Sequence, residues 1–160
     1  MFLPPFAIAG RSVSFPHLLW FGCTLATIWP QSEFSLMLER DFWKLIKRNT
    51  PKVHWTRVES PGSPGVPDVN GCREGVEAWV ELKMLRGRKV DLRPAQVAWL
   101  ISRARAGGRS WIVGRHTDGR IFVWPGHKAL EVASRGTDIE PALWIEKPYH
   151  WGALENLIFS

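Results

Sequence analysis

SPGVPDVNGCREGVEAWVELK, residues 63–83, is the stretch on which the reading of this chain turns. Ala78, Val80 and Leu82 alternate with Glu77, Trp79, Glu81 and Lys83. Such alternation predicts a strand with one apolar face. On a strand, Glu81 and Lys83 project from the same side, roughly 6.5–7 Å apart, while Leu82 points into a core. Asp68 follows Pro67 at the end of a Pro/Gly-rich turn, thirteen positions before Glu81. A turn carboxylate, a strand carboxylate and an ammonium are therefore candidates for one site. Asp68 and Glu81 are oxygen ligands of the kind that hold a hard divalent cation. Such a cation acidifies water and neutralises phosphate charge. Lys83 suits the orientation of that water or the stabilisation of developing negative charge. The expected chemistry is metal-assisted attack on a phosphodiester. The plainer alternative is a turn aspartate beside a solvated strand that carries a Glu/Lys pair.

Pro67-Asp68 followed by Glu81-x-Lys83 resembles the signature of the PD-(D/E)XK nuclease superfamily. A wider pattern narrows this. Gly65-Val66-Pro67-Asp68, then Trp79 to Lys83, then Pro94-Ala95-Gln96-Val97-Ala98-Trp99-Leu100 is similar to the VRR-NUC branch, whose small stand-alone members are frequent in bacteriophages. The resemblance spans roughly Leu38 to Leu130. It implies an α/β fold with a restriction-endonuclease-like core, a mixed central sheet flanked by helices. It also implies a divalent-metal-dependent DNA nuclease, an endonuclease acting on plain or branched substrates such as a junction or flap. Mg²⁺ or Mn²⁺ would be held by Asp68, Glu81 and the Leu82 carbonyl, and Lys83 would position the attacking water. Gln96 matches a glutamine near the catalytic lysine, where an amide can reach Lys83, a water or phosphate. Glu39 matches a first-helix glutamate that supports the site. The partner would be DNA in the cytoplasm of a bacterial or phage-infected cell. A homodimer is implied only if the substrate is a junction that needs two coordinated cuts. The competing expectation is a nucleic-acid-binding module without catalysis, in which the basic surface is used and the acids are structural.

Outward from this stretch, Leu38, Phe42, Leu45 and Ile46 form the stripe of an amphipathic helix over residues 38–49. Glu39 lies at its edge, where the helix dipole alone also favours a glutamate. Val53 to Glu59 reads as a strand, and Glu59 competes with Glu39 as a third carboxylate. Arg57 is a candidate phosphate contact. Asn70-Gly71 has the composition of a hairpin turn. Beyond the 77–83 strand, Arg86, Arg88 and Lys89 form a basic loop suited to the nucleic-acid backbone. Pro94 opens a second helix, and Gly107-Gly108 ends it. Two strands follow, at 109–114 and 120–124, joined at Asp118-Gly119, and a short helix is expected over 126–133. This order suits a mixed sheet with helices on its faces.

Charge supports the same placement. The chain of 160 residues has a net charge of +6. Residues 1–36 sum to zero and 135–160 to −2, so 37–134 hold +8, the excess expected of a surface that meets phosphates. Cys23 and Cys72 form no framework or thiolate site, and a reducing compartment is the default. The apolar run from Leu18 to Ile28 has 11 residues, short of the about 20 that cross a bilayer. Four prolines interrupt the first 36 residues, and their composition breaks from the rest at Met37. The expectation is a nuclease domain over 37–134, an atypical extension over 1–36 outside the working protein, and an acidic extension over 135–160. A strand or hairpin, or a leader-like segment, is the other reading of the first 36. The last 26 residues either pack on the sheet or meet a partner.

Overall fold

A computed structural model describes residues 37–58, 62 and 64–160. The expectations for residues 1–36 and for Glu59 lie outside these residues. Helix α1 (Glu39–Asn49) leads into strands β1 (His54–Arg57), β2 (Val69–Arg73) and β3 (Val76–Leu85). Helix α2 (Pro94–Arg105) then precedes β4 (Arg109–His116) and β5 (Ile121–Pro125). After α3 (Ala129–Arg135) come β6 (Leu143–Ile145) and α4 (Trp151–Phe159). The six strands form one sheet in chain order. Among the described residues, only β3 and β4 run parallel; the other neighbours are antiparallel. A parallel pair needs a crossover, and α2 supplies it. The fold is therefore α/β, with a mixed six-stranded sheet and four helices among the described residues, as the element order predicted.

Local chemistry explains the helices. α1 has Glu39 and Asp41 in its first turn and Lys47 and Arg48 in its last, matching the helix dipole at both ends. Its C-terminus is tied to β1 by Thr50, whose hydroxyl donates to the Ile46 carbonyl and accepts the Trp55 indole N–H at 2.8 Å. In α2, Pro94 occupies the first turn, where its missing N–H costs nothing.

The sheet separates two cores. Ala78, Val80 and Leu82 face α1 and α4, with Phe42, Ile46, Leu154 and Ile158 packed against them. On the other side, Leu85, Leu100, Ile112 and Trp124 pack with α2 and α3. The 135–160 segment adds β6 and α4 to this architecture, and Leu154, Ile158 and Phe159 are buried in the first core. Packing on the sheet is thus the outcome for these residues. The short helix expected at 126–133 is a 3₁₀ turn (Gly126–Lys128) continuing into α3. Among the described residues, no helix is long and apolar enough to cross a membrane.

Asn70-Gly71 is not a turn. Both residues lie inside β2, opposite Trp79 and Ala78. The reversal falls at Glu74-Gly75, with φ of 53° and 81°, two consecutive left-handed residues as a tight hairpin requires. Gly71 is instead a packing glycine. A Cβ there would stand 2.6 Å from the Trp55 ring and 2.8 Å from Phe159. Gly71→Ala is therefore expected to destabilise the fold by about 1–3 kcal/mol through overpacking. Urea unfolding measures this, and an unchanged midpoint would show that Trp55 and Phe159 yield without cost.

Candidate active site

The site forms where β2 stops pairing with β3. The β2–β3 register ends at Val69 opposite Val80. Pro67, next but one before Val69, has no N–H to extend the ladder. Asp68 fills the gap with its side chain: the Leu82 N–H donates to Asp68 Oδ2 at 2.8 Å. Its main chain is held from the other side, because the Val58 N–H donates to the Asp68 carbonyl at 2.8 Å. Two residues further along the same edge of β3, the Met84 N–H serves Glu39. Gly65, at φ 94°, lets the Pro/Gly loop press against the Ala95 backbone at the start of α2. Asp68 is thus delivered by a loop braced on two elements.

Glu81 and Lys83 share the opposite face of β3, as the alternation requires. Glu81 is fully buried and Lys83 14% exposed, with Nζ 2.8 Å from Glu81 Oε1. Gln96 Nε2 donates to the same oxygen. The amide is oriented by its other end, since Gln96 Oε1 accepts the Arg93 N–H at 3.0 Å. Gln96 was expected beside Lys83, a water or phosphate; its contact here is Glu81. Glu81 Oε2 is buried and has no hydrogen-bond partner among the described residues.

The electrostatics follow from this crowding. Burial, then the Asp68 charge, raises the Glu81 carboxyl to about 7, against the opposing pull of Lys83. Burial also raises Glu39, with Asp68 adding to the effect, while Lys83, Arg57 and the Met84 N–H oppose it. Glu39, Asp68, Glu81 and Lys83 therefore form one interacting set.

Arg57 belongs here more closely than the sequence suggested. With Glu39, Trp43, Asp68, Val69 and Leu82 it lines a small cavity beside the site. The β1–β2 pairing, which alternation along the chain does not give, sets Arg57 opposite Val69, next to Asp68. The basic loop is more constrained. Arg88 is ion-paired with Asp138, and Lys89 Nζ lies 3.6 Å from Asp91. The loop is also anchored by the Thr137 N–H, which donates to the Arg88 carbonyl.

These residues fit a hard divalent cation. An orphaned, buried carboxylate oxygen on Glu81 lacks a positive partner, and Asp68 is close enough to raise the same carboxyl. A strand residue directs its N–H and C=O to the same edge, so the Leu82 carbonyl faces the edge that Asp68 occupies. Among the described residues, no three His, Cys, Asp or Glu side chains gather as a metal cage. Two carboxylates and a carbonyl suit Mg²⁺, which keeps several waters and seldom takes an all-protein cage.

The sequence matches no protein-family model and no curated protein. Among solved structures, it is similar to Hjc, a Holliday junction resolvase from the archaeal hyperthermophile Archaeoglobus fulgidus. The TM-score is 0.42 and the identity 22%, covering 54% of this chain and 72% of that one. A likeness of this size leaves the function of the site to its own residues.

The raised Glu81 value makes a stability prediction. The folded chain holds this proton more tightly than the unfolded chain does. That contribution is full below 4.5, declines towards about 7 and is absent above it. In chelator at pH 8, Glu81→Gln should be more stable than the parent by about 1–3 kcal/mol. The difference should close as pH falls towards 4.5. Thermal unfolding at both pH values measures it; a parent more stable than the variant at pH 8 contradicts the electrostatics described.

Proposed function

We propose that this chain is a divalent-metal-dependent DNA nuclease of the PD-(D/E)XK superfamily and its VRR-NUC-like branch. It hydrolyses phosphodiester bonds as an endonuclease. The observation that carries the reading is Glu81: a fully buried carboxylate with one oxygen on Lys83 and Gln96 and the other without a partner, beside Asp68. A structural glutamate at such a position would cost stability with no return.

Asp68, Glu81 and the Leu82 carbonyl would hold Mg²⁺ or Mn²⁺. When bound, the cation lowers the pKa of a water and offsets phosphate charge. The protein's own residues do the rest. Lys83, fixed by Glu81, orients the attacking water and stabilises the negative charge that develops on the phosphate. Gln96, clamped by the Arg93 N–H, keeps the Glu81 carboxylate aimed. Glu39 supports the site from the Met84 edge. Arg57, at the lining of the cavity, and Arg86, Arg88 and Lys89, in the loop beyond β3, contact the DNA backbone. The substrate is DNA in the cytoplasm of a bacterial or phage-infected cell, with branched forms such as junctions or flaps among the candidates. A junction substrate would call for a homodimer.

A panel of labelled duplex, nicked, flap and junction DNAs, incubated with Mg²⁺, Mn²⁺ or chelator, tests this. Cleavage should require the metal. Asp68→Asn and Glu81→Gln should nearly abolish it while folding persists by circular dichroism. Lys83→Ala should retain metal binding and lose about 10²–10³-fold in rate. Wild-type rates in all three variants would remove the assignment to this site.

DNA affinity in chelator should fall steeply with salt, because residues 37–134 carry +8 and each phosphate contact releases counterions. A slope of log affinity against log salt near zero would exclude the basic segment as the footprint.

A further inference from the structure

The sheet face that points away from α1 and α4 is open at one end. His54 and Thr56 are exposed there, and Asn70 and Cys72 are half-buried. Register places Asn70 beside Trp79 and Cys72 beside Glu77, so this polar floor continues into β3. Helix α2, which lies against β4, makes the wall. It runs opposite to β3: Gln96 meets Glu81, and one turn later Trp99 meets Trp79, with ring centroids 5.2 Å apart. Another turn on, the Arg103 guanidinium stands 6.0 Å from the Trp79 ring centre. Helix residues three or four apart share a face, as do strand residues two apart. A row of Gln96, Trp99 and Arg103 thus faces a row of Lys83, Glu81 and Trp79. Both rows start at the acidic centre.

The chemistry along this groove changes in order. Near the centre it is ionic; further out it is aromatic, then cationic. Trp79 and Trp99 are half-buried, each keeping part of its surface open. Arg103 makes no ion pair among the described residues, so its charge lies over an indole and is not neutralised by a carboxylate. A purely structural tryptophan pair would need neither an open polar floor nor an unneutralised arginine.

We propose that this groove binds an unpaired segment of the nucleic-acid substrate, with Trp79 and Trp99 as a platform for a base and Arg103 as a contact to its phosphate. The occupant is assigned because the groove opens from the carboxylates of the proposed nuclease site, and to that extent the inference rests on the nuclease reading. Aromatic platforms take bases whose faces are accessible, which favours a single strand over an intact duplex. Trp79 is roughly 6.5–7 Å from Glu81 along the strand. A base on the platform and a phosphate at Glu81 then belong to neighbouring nucleotides. Arg103 supplies the charge complementarity that a polyanion requires.

The test is binding of the full chain, in chelator, to a labelled single-stranded oligonucleotide and to a blunt duplex of the same sequence, followed by fluorescence anisotropy. Trp99→Leu should weaken single-strand binding about ten-fold and leave duplex binding nearly unchanged. Trp99→Phe should retain most of the single-strand affinity. Arg103→Gln, which keeps the packed stem, should weaken single-strand binding and lower its salt slope by about one. Should Trp99→Leu fail to fold, Trp99→Phe and Arg103→Gln carry the same comparison. Unchanged single-strand affinity in Trp99→Leu and Arg103→Gln overturns the proposal, as does an equal loss on both probes or no single-strand binding by the parent. No cleavage occurs in chelator, so this outcome is independent of the catalytic test. Variants that bind normally, beside an Asp68→Asn that no longer cuts, would reject the platform and leave the nuclease.

Discussion

The hydrogen bond from the Leu82 N–H to the Asp68 carboxylate joins two requirements that are otherwise separate. The first is structural. β2 leaves β3 after Val69, and a strand edge that enters the interior cannot keep unpaired donors. Asp68 satisfies one donor and Glu39 takes the next, at Met84. The second is electrostatic. Answering backbone donors with carboxylates concentrates negative charge where β3 is buried, next to Glu81 and Lys83. The divergence of two strands thus creates the acidic centre, and the braces on Asp68 from Val58 and the Gly65 loop keep it there.

The Glu81 carboxyl registers the cost of that arrangement. Held at about 7, it ionises reluctantly in the absence of a cation despite Lys83 and Gln96. In the proposed nuclease, this reluctance is the reverse side of metal affinity: the same field that retains a proton favours a divalent ion in its place. It also explains why Gln96 meets Glu81 directly. With its carbonyl end on the Arg93 N–H, the amide can only donate towards the strand, and it stabilises a carboxylate that would otherwise be poorly solvated.

The tryptophans divide by the face they occupy. Trp43, Trp55 and Trp124 are buried in the two cores. Trp79 and Trp99 stand instead on the face that carries Glu81, where the sheet is only partly covered. Trp144 is 51% exposed on the edge strand β6. Composition alone could not separate these roles, because an indole is equally at home in a core and on a wet, half-open surface.

The candidate site was largely legible in one dimension. The strand period is local, so Glu81, Lys83 and the inward Leu82 follow from alternation, and Pro67-Asp68 marks where the ladder stops. The two long helices were equally readable from stripes and terminators, to within a residue or two. What required the tertiary structure was everything set by contact between distant segments. Asn70-Gly71 has turn chemistry, but Trp55 and Phe159 leave room only for a glycine at 71, and the turn moved to Glu74-Gly75. Arg88 and Lys89 read, with Arg86, as a basic loop suited to the nucleic-acid backbone, and only the fold brings Asp138 beside Arg88 and sets Lys89 against Asp91. Arg57 became part of the site through its register with Val69. The final strand and helix, too short to have strong periodicity, owe their places to the core they complete. Local pattern determined which residues share a face; only the folded chain decided which faces meet.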